Sequence, residues 1–487
     1  MPDIIFSMQR LSKFLSRLAA IFVAIAFVIY VVRAFDARRF PDLGIEYRIH
    51  FDSEFDASDE ADTDWNTFLE IEDKLAAELD QKIDPDLRPD SLLDRYSESS
   101  LTNPNKFDGD WNRSFELSAA NASGVAVMLH GLTDSPYSML PMAQAAVGAG
   151  FNVIVPRMPG HGFAVGGMLQ ARWEDWTATT RIAIRRAMEI RQPGQPLLIV
   201  GYSNGGLLAI DYALRCQDDD ELPCPDRIIL LSPAISVTPA AIITNLHSAI
   251  SWIPYFEKFQ WLSVLPEIDP FKFTSFPKRA AWEIYEFAKQ TNALLDDPNR
   301  TSQLPPILTF QSLVDNTVSS EAVVSRLFNK LSQQSSELVV YDVNRNSTIV
   351  HLMRKMPGDP IEYFLQTAPH SYKVTILRNT SPHNLSISTA SMAAGESSFV
   401  IEATALEWPL GIYSLSHIAI PFPSIDPLYG DGKSVGASDA GLVLGAIAPR
   451  GELGMLSLSS DYFLRTRYNP FYSFQARYAT EWLLAEK

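Results

Sequence analysis

The chain has 487 residues, 46% of them hydrophobic and 20% charged, with a formal net charge of −17 at pH 7. That balance excludes a disordered tail protein, a collagen and a long coiled coil, and two cysteines exclude a disulfide scaffold or a multi-cysteine zinc module. No basic face is visible to displace counterions, so nucleic acid is discounted as a partner.

Residues 18–32 form an uncharged apolar run of 15, with Arg10, Lys13 and Arg17 before it and Arg33, Arg38 and Arg39 after it. Widened to residues 14–35 it reaches 22 residues, enough to span a bilayer if Arg17 and Arg33 snorkel. The run exits through Val-Val-Arg-Ala-Phe-Asp, a poor cleavage site, so residues 1–35 are expected to be an uncleaved membrane anchor. Basic residues are balanced across the span, and the positive-inside rule barely votes. Cys216 and Cys224 flank a polar loop and read equally as a disulfide or as two buried thiols. A disulfide would favour an oxidising compartment, and the expected orientation puts the body outside the cytoplasm.

Residues 36–110 hold 22 Asp and Glu against 8 Lys and Arg. The segment is expected to be an acidic linker that mostly faces solvent, with a helix over 64–79. From Phe115 the pattern becomes regular. Short apolar runs at 125–129, 153–155, 197–200, 228–231, 307–310 and 338–341 read as strands, and 114–119 alternates like one. Helix-period segments such as 173–190 and 205–215 lie between them. Wholly apolar strands alternating with helices predict an α/β fold with a parallel sheet covered on both faces.

Gly201-Tyr202-Ser203-Asn204-Gly205 follows the run 197–200 and opens a helix. This is G-x-S-x-G in its strand–turn–helix setting, where a tight turn lifts a serine hydroxyl above the sheet edge. Upstream, the run 125–129 ends in His130-Gly131-Leu132-Thr133. In such a site this loop and the residue after the serine supply the oxyanion donors, here the backbone N–H groups of Leu132 and Asn204. His130 reads as a pin for that loop rather than a base, and His161, in the loop 156–162, as loop architecture. Gly430 to Ser434 resembles the end of a phosphate loop, but no strand leads into it and its first glycine falls at Pro427.

Strand–HGLT, strand–PRMPGHG and strand–GYSNGG, in that order, resemble the α/β-hydrolase superfamily, and are most similar to its monoglyceride-lipase and bacterial carboxylesterase branches. The likeness is specific from about residue 115 to 231 and looser beyond, and does not cover 1–110. It implies a mostly parallel sheet flanked by helices, a helical cap inserted before the acid, and a Ser–Asp/Glu–His triad in chain order. Asp315, after the run 306–312, fits the acid. The base is assigned to His417, before the last helix (about 471–484), with His351 as the alternative. His417 would make 346–410 an insertion, with strands at 372–377 and 398–403.

The resulting organisation is an anchor (1–35), an acidic extension (36–110), a first core part (111–235), a cap (236–305) and a second core part (306–487). The cap holds Trp252, Tyr255, Phe256, Phe259, Trp261, Phe271, Phe273 and Phe276, from which one or two are expected to face an acyl pocket while the rest pack the cap. The expected function is a membrane-anchored serine hydrolase that cleaves a lipid-like or small ester through an acyl-enzyme, with no metal or organic cofactor. Rival readings are a thioesterase, peptidase or acyltransferase, a noncatalytic hydrolase-fold binding protein, and a scaffold that recruits a partner through 36–110.

Overall fold

A computed structural model describes residues 14–83, 91–218, 221–236, 254–350, 357–409, 415–433 and 467–485, less a few single positions, together with Leu444. Its centre is a ten-stranded sheet. In chain order the strands are β1 (Phe115–Leu117), β2 (Gly124–Leu129), β3 (Phe151–Val155), β4 (Leu197–Tyr202) and β5 (Arg227–Leu231). A separate small hairpin of β6 (Trp261–Ser263) and β7 (Phe276–Pro277) follows. The sheet then resumes with β8 (Ile307–Ser312), β9 (Glu337–Asp342), β10 (Lys373–Asn379), β11 (Ser386–Met392) and β12 (Val400–Glu407). Their spatial order is β1-β3-β2-β4-β5-β8-β9-β10-β11-β12. The strands from β3 to β10 are parallel, and β1, β11 and β12 join antiparallel at the edges.

Every residue of β2, β4 and β8 is buried, because helices cover both faces. Val125, Val127 and Leu129 pack toward Trp176 and Ile182 of the helix Trp173–Ile190 and toward Leu207 of the helix Asn204–Arg215. The alternate residues Ala126 and Met128 pack toward Met142 of the helix Leu140–Gly148 and Trp482 of the helix Tyr472–Leu484. From β2 the chain passes to β3 on one side and then crosses to β4 on the other. That reversal opens a crevice at the carboxyl ends of β2 and β4, where open α/β sheets bind ligands.

The acidic extension is not a solvated linker. Asp64 caps the helix Trp65–Lys82, its side chain accepting the Thr67 N–H at 2.7 Å. Phe68 and Leu75 are fully buried, and Phe55 meets Phe68 edge-on at 5.5 Å. Most of its acids do face solvent, but Glu54, Asp56, Glu60 and Glu72 are held by basic residues of the body. Arg157, fully buried, bonds Glu72 Oε1 at 3.1 Å and Glu54 Oε1 at 2.8 Å. Glu72 also accepts the Ser114 N–H at 2.9 Å and its hydroxyl at 2.7 Å. Arg172 holds Asp56, and Arg181 and Arg185 hold Glu60.

Within 346–410, β10 and β12 fall on the strands expected at 372–377 and 398–403; β10 continues the parallel sheet beside β9, and β11 and β12 extend its edge. The strand β11 has no counterpart among the sequence expectations. In the region expected to be a cap, the described residues include a 3-10 helix at Pro254–Gln260, the β6–β7 hairpin, the helix Lys278–Leu295 and a short helix at Pro298–Thr301. Phe271 stacks on Tyr137 at 4.2 Å, and Trp261 meets Tyr47 edge-on at 5.2 Å. Phe273 joins Trp261 and Tyr47 in one buried cluster. These three aromatics therefore pack against the extension and the core rather than within a self-contained cap. Trp252 and the side chains of Tyr255 and Phe256 lie outside the described residues.

Cys216 and Cys224 form a disulfide, with Cα atoms 5.2 Å apart. The described residues between 14 and 36 are helical, and Phe14, Ile21, Val23, Phe27 and Val32 among them are exposed. Among the described residues no helix is long and apolar enough to cross a membrane.

Candidate active site

Ser203 sits between β4 and the helix Asn204–Arg215 with φ 55° and ψ −114°. That conformation is costly for any residue but glycine, at about 1–3 kcal/mol, and the surrounding backbone holds it. The Ser203 N–H donates to the Leu231 carbonyl at 2.9 Å, and its own carbonyl accepts the N–H groups of Gly206 and Ala234, both at 3.0 Å. A Cβ at Gly201 would collide with the Gly205 carbonyl, and one at Gly205 with the Leu129 carbonyl. The two glycines of the motif are therefore demanded by close backbone approach. Ser203 is 8% exposed.

The loop after β2 faces this turn. His130 is fully buried: its Nδ1–H donates to the Gly131 carbonyl at 2.9 Å, and its Nε2 accepts the Met158 N–H at 2.9 Å. Both ring nitrogens are thus engaged, and burial, aided by neighbouring His161, pushes its pKa well below the usual histidine range. His161 packs edge-on against His130 and Trp176, and burial lowers its pKa to about 4. Thr133 adopts a left-handed φ of 67°. Leu132 is half-buried beside it, while Asn204 opens the helix with its N–H at the positive end of the helix dipole.

Asp315 lies just past the end of β8. Its Oδ1 accepts the N–H groups of Thr317 at 2.8 Å and Val318 at 3.0 Å, an Asx-type turn. Its Oδ2 accepts Gln311 Nε2 at 3.2 Å and faces His417 Nδ1 at 2.8 Å. The turn thus aims the second oxygen at the histidine. Both side chains are almost wholly buried. With Nδ1–H donating to the carboxylate, Nε2 keeps its lone pair. The ring of His417 lies 5.3 Å from that of Tyr202, the residue before Ser203.

The other downstream histidines are placed elsewhere. His370 packs between Phe364 and Tyr372 with Nε2 bonded to the Phe364 carbonyl, and His383 is exposed. His351 lies outside the described residues. Sequence reasoning missed Gln311, which steadies Asp315, and missed Asp134 and Lys272. The Lys272 ammonium lies 2.9 Å from Asp134 Oδ2 and donates to Thr133 Oγ1 at 3.1 Å. No sequence motif marks any of the three, although Gln311 stands four residues before Asp315 on the same strand end.

A reversing parallel sheet, a strained serine at the strand–helix turn and a glycine-backed loop across the crevice are the marks of the α/β-hydrolase fold. The family profile described as serine aminopeptidase, S33, matches residues 120–345. The thermostable monoacylglycerol lipase of Bacillus sp. (strain H-257) is 24% identical over 221 residues, 45% of this chain and 82% of that protein. Among solved structures, the monoacylglycerol lipase of Paleococcus ferrophilus is 18% identical, with a TM-score of 0.35 over 47% of this chain and 87% of that one. The soluble variant of monoglyceride lipase from Saccharomyces cerevisiae is 13% identical, with a TM-score of 0.37 over 47% and 81%.

Proposed function

We propose that the protein is a serine hydrolase that cleaves carboxylic esters, with Ser203 as nucleophile, His417 as base and Asp315 as acid. The observation that carries this reading is the buried Asp315–His417 hydrogen bond beside the strained Ser203 turn. His417 Nε2 takes the serine proton as Oγ attacks the ester carbonyl, and Asp315 holds the imidazole tautomer and stabilises the imidazolium. The Leu132 and Asn204 amides receive the developing oxyanion. His417 then protonates the departing alcohol, and water releases the acid from the acyl-enzyme by the same steps in reverse.

A lipid-like ester is the substrate class, supported by the monoacylglycerol lipase relative. The matching family is described as a peptidase, so amides belong in the test. Purified protein offered monoacylglycerols, acyl thioesters and aminoacyl anilides is expected to prefer the glycerol esters in kcat/KM by at least about a hundredfold. A preference for the anilide or the thioester would replace the ester reading.

The exposed apolar helical residues between 14 and 36 support a membrane anchor, and the Cys216–Cys224 disulfide supports a body in an oxidising compartment. The full chain is expected to stay with membranes through alkaline carbonate extraction, and protease added outside sealed cells is expected to digest its body. Release into the carbonate supernatant would dismiss the anchor; protection from the protease would reverse the orientation.

A further inference from the structure

The N–H of Leu132 belongs to the same peptide unit as the Gly131 carbonyl, so whatever holds that carbonyl aims the N–H. Two groups hold it: the His130 ring at 2.9 Å and the Asp134 N–H at 3.3 Å. Asp134 and Thr133 are held in turn from residues 271–273, far along the chain. The Phe273 N–H donates to the Thr133 carbonyl at 2.8 Å, and Asp134 pairs with Lys272 as an isolated antiparallel bridge. The Lys272 ammonium then reaches both Thr133 Oγ1 and Asp134 Oδ2. Asp134 is 5% exposed, and Lys272 is the cation paired with its carboxylate.

We propose that Lys272 is a positioning residue for the oxyanion hole: by fixing Asp134 and the left-handed Thr133, it sets the plane of the Gly131–Leu132 peptide. This rests on the ester-hydrolase reading above. The segment that carries it is itself immobilised, with Phe271 stacked on Tyr137 and the buried Asp269 bonded to Tyr429 and Arg467. The lysine therefore holds the loop against a fixed support. Two of the three ammonium N–H groups are directed to the carboxylate and the hydroxyl, which is what the positioning role requires.

The test compares wild type, Lys272→Met, Lys272→Arg and Asp134→Asn for kcat, KM and inhibition by an alkyl boronic acid. The boron accepts the Ser203 oxygen, the serine proton passing to the histidine, and the anionic tetrahedral adduct places a boronate hydroxyl oxygen in the hole. Lys272→Met is expected to lower kcat about ten- to a hundredfold with KM within about twofold, since misplacement of a reacting group by about 1 Å costs that order. Boronate affinity is expected to fall by a similar factor. Lys272→Arg, which can still bridge the two oxygens, is expected to recover most of both, and Asp134→Asn to shift both in the same direction as Lys272→Met.

Wild-type kcat and boronate affinity in folded Lys272→Met would overturn the proposal. So would equal losses in Lys272→Met and Lys272→Arg accompanied by lower thermal stability, the mark of a purely structural contact. If Lys272→Met does not fold, Asp134→Asn decides by the same two readouts. Turnover by wild type, and its loss in Ser203→Ala, test the underlying reading separately.

Discussion

Ser203→Ala is expected to lower ester turnover by about 10⁴- to 10⁶-fold, with no loss of the folded state. His417→Ala is expected to fall as far, and the double variant no further, because nucleophile and base act as one unit. Asp315→Asn is expected to cost about 10⁴-fold, since an amide at Oδ2 no longer selects the tautomer that leaves Nε2 free. The Asx turn at Oδ1 accepts two backbone N–H groups, so this variant retains the loop and isolates the chemical role. Labelling by a fluorophosphonate reads the same series. His351→Ala is the control: loss of labelling there, with labelling kept in His417→Ala, would move the base to His351.

Glu72→Ala is expected to destabilise the fold by about 3–5 kcal/mol, the usual cost of stranding one member of a buried ion pair. Arg157 and Glu72 are both inaccessible, and Glu72 satisfies Ser114 as well as the guanidinium. Removing it leaves Arg157 with Glu54 alone among carboxylates, and leaves the Ser114 N–H without its acceptor. Glu72→Gln keeps the shape and an acceptor oxygen for Ser114, so its cost is expected to be smaller. Glu60→Ala removes a part-exposed partner of Arg181 and Arg185 and is expected to cost no more than about 1 kcal/mol. Urea unfolding followed by tryptophan fluorescence measures all three. A Glu72→Ala midpoint equal to wild type would show that residues 36–110 unfold apart from the body.

The parallel strands were legible because a strand buried on both faces must be apolar throughout, and the serine turn because its two glycines are required by backbone collisions. The strand β11 was not. It reads Ser-Ile-Ser-Thr-Ala-Ser-Met and is mostly buried. Its hydroxyls are small enough to sit inside, and Thr375 and Ser391 bond each other across the pair at 3.1 Å. Hydrophobic periodicity does not register such a strand. Glu54, Asp56, Glu60 and Glu72 looked solvated because their partners Arg157, Arg172, Arg181 and Arg185 lie 85 to 125 positions away. The grip of Lys272 on Thr133 spans 139 positions and leaves no local pattern. Chain order and the resemblance paired Asp315 with His417; the hydrogen bond of 2.8 Å that joins them, 102 positions apart, has no local signal.

The stretch after the N-terminal helical residues is fastened at once. Ala37 is buried, Lys258 reaches the Phe40 carbonyl and Asp42, and Arg48 pairs with Glu257. Tyr47 then rests on Trp261, in the same apolar cluster as Phe273, whose N–H holds Thr133. If residues 1–35 form the proposed anchor, a join of this kind makes it a bracket rather than a leash: the crevice would keep one height and one tilt over a bilayer, and would draw on esters presented at that level instead of sweeping a hemisphere of solution.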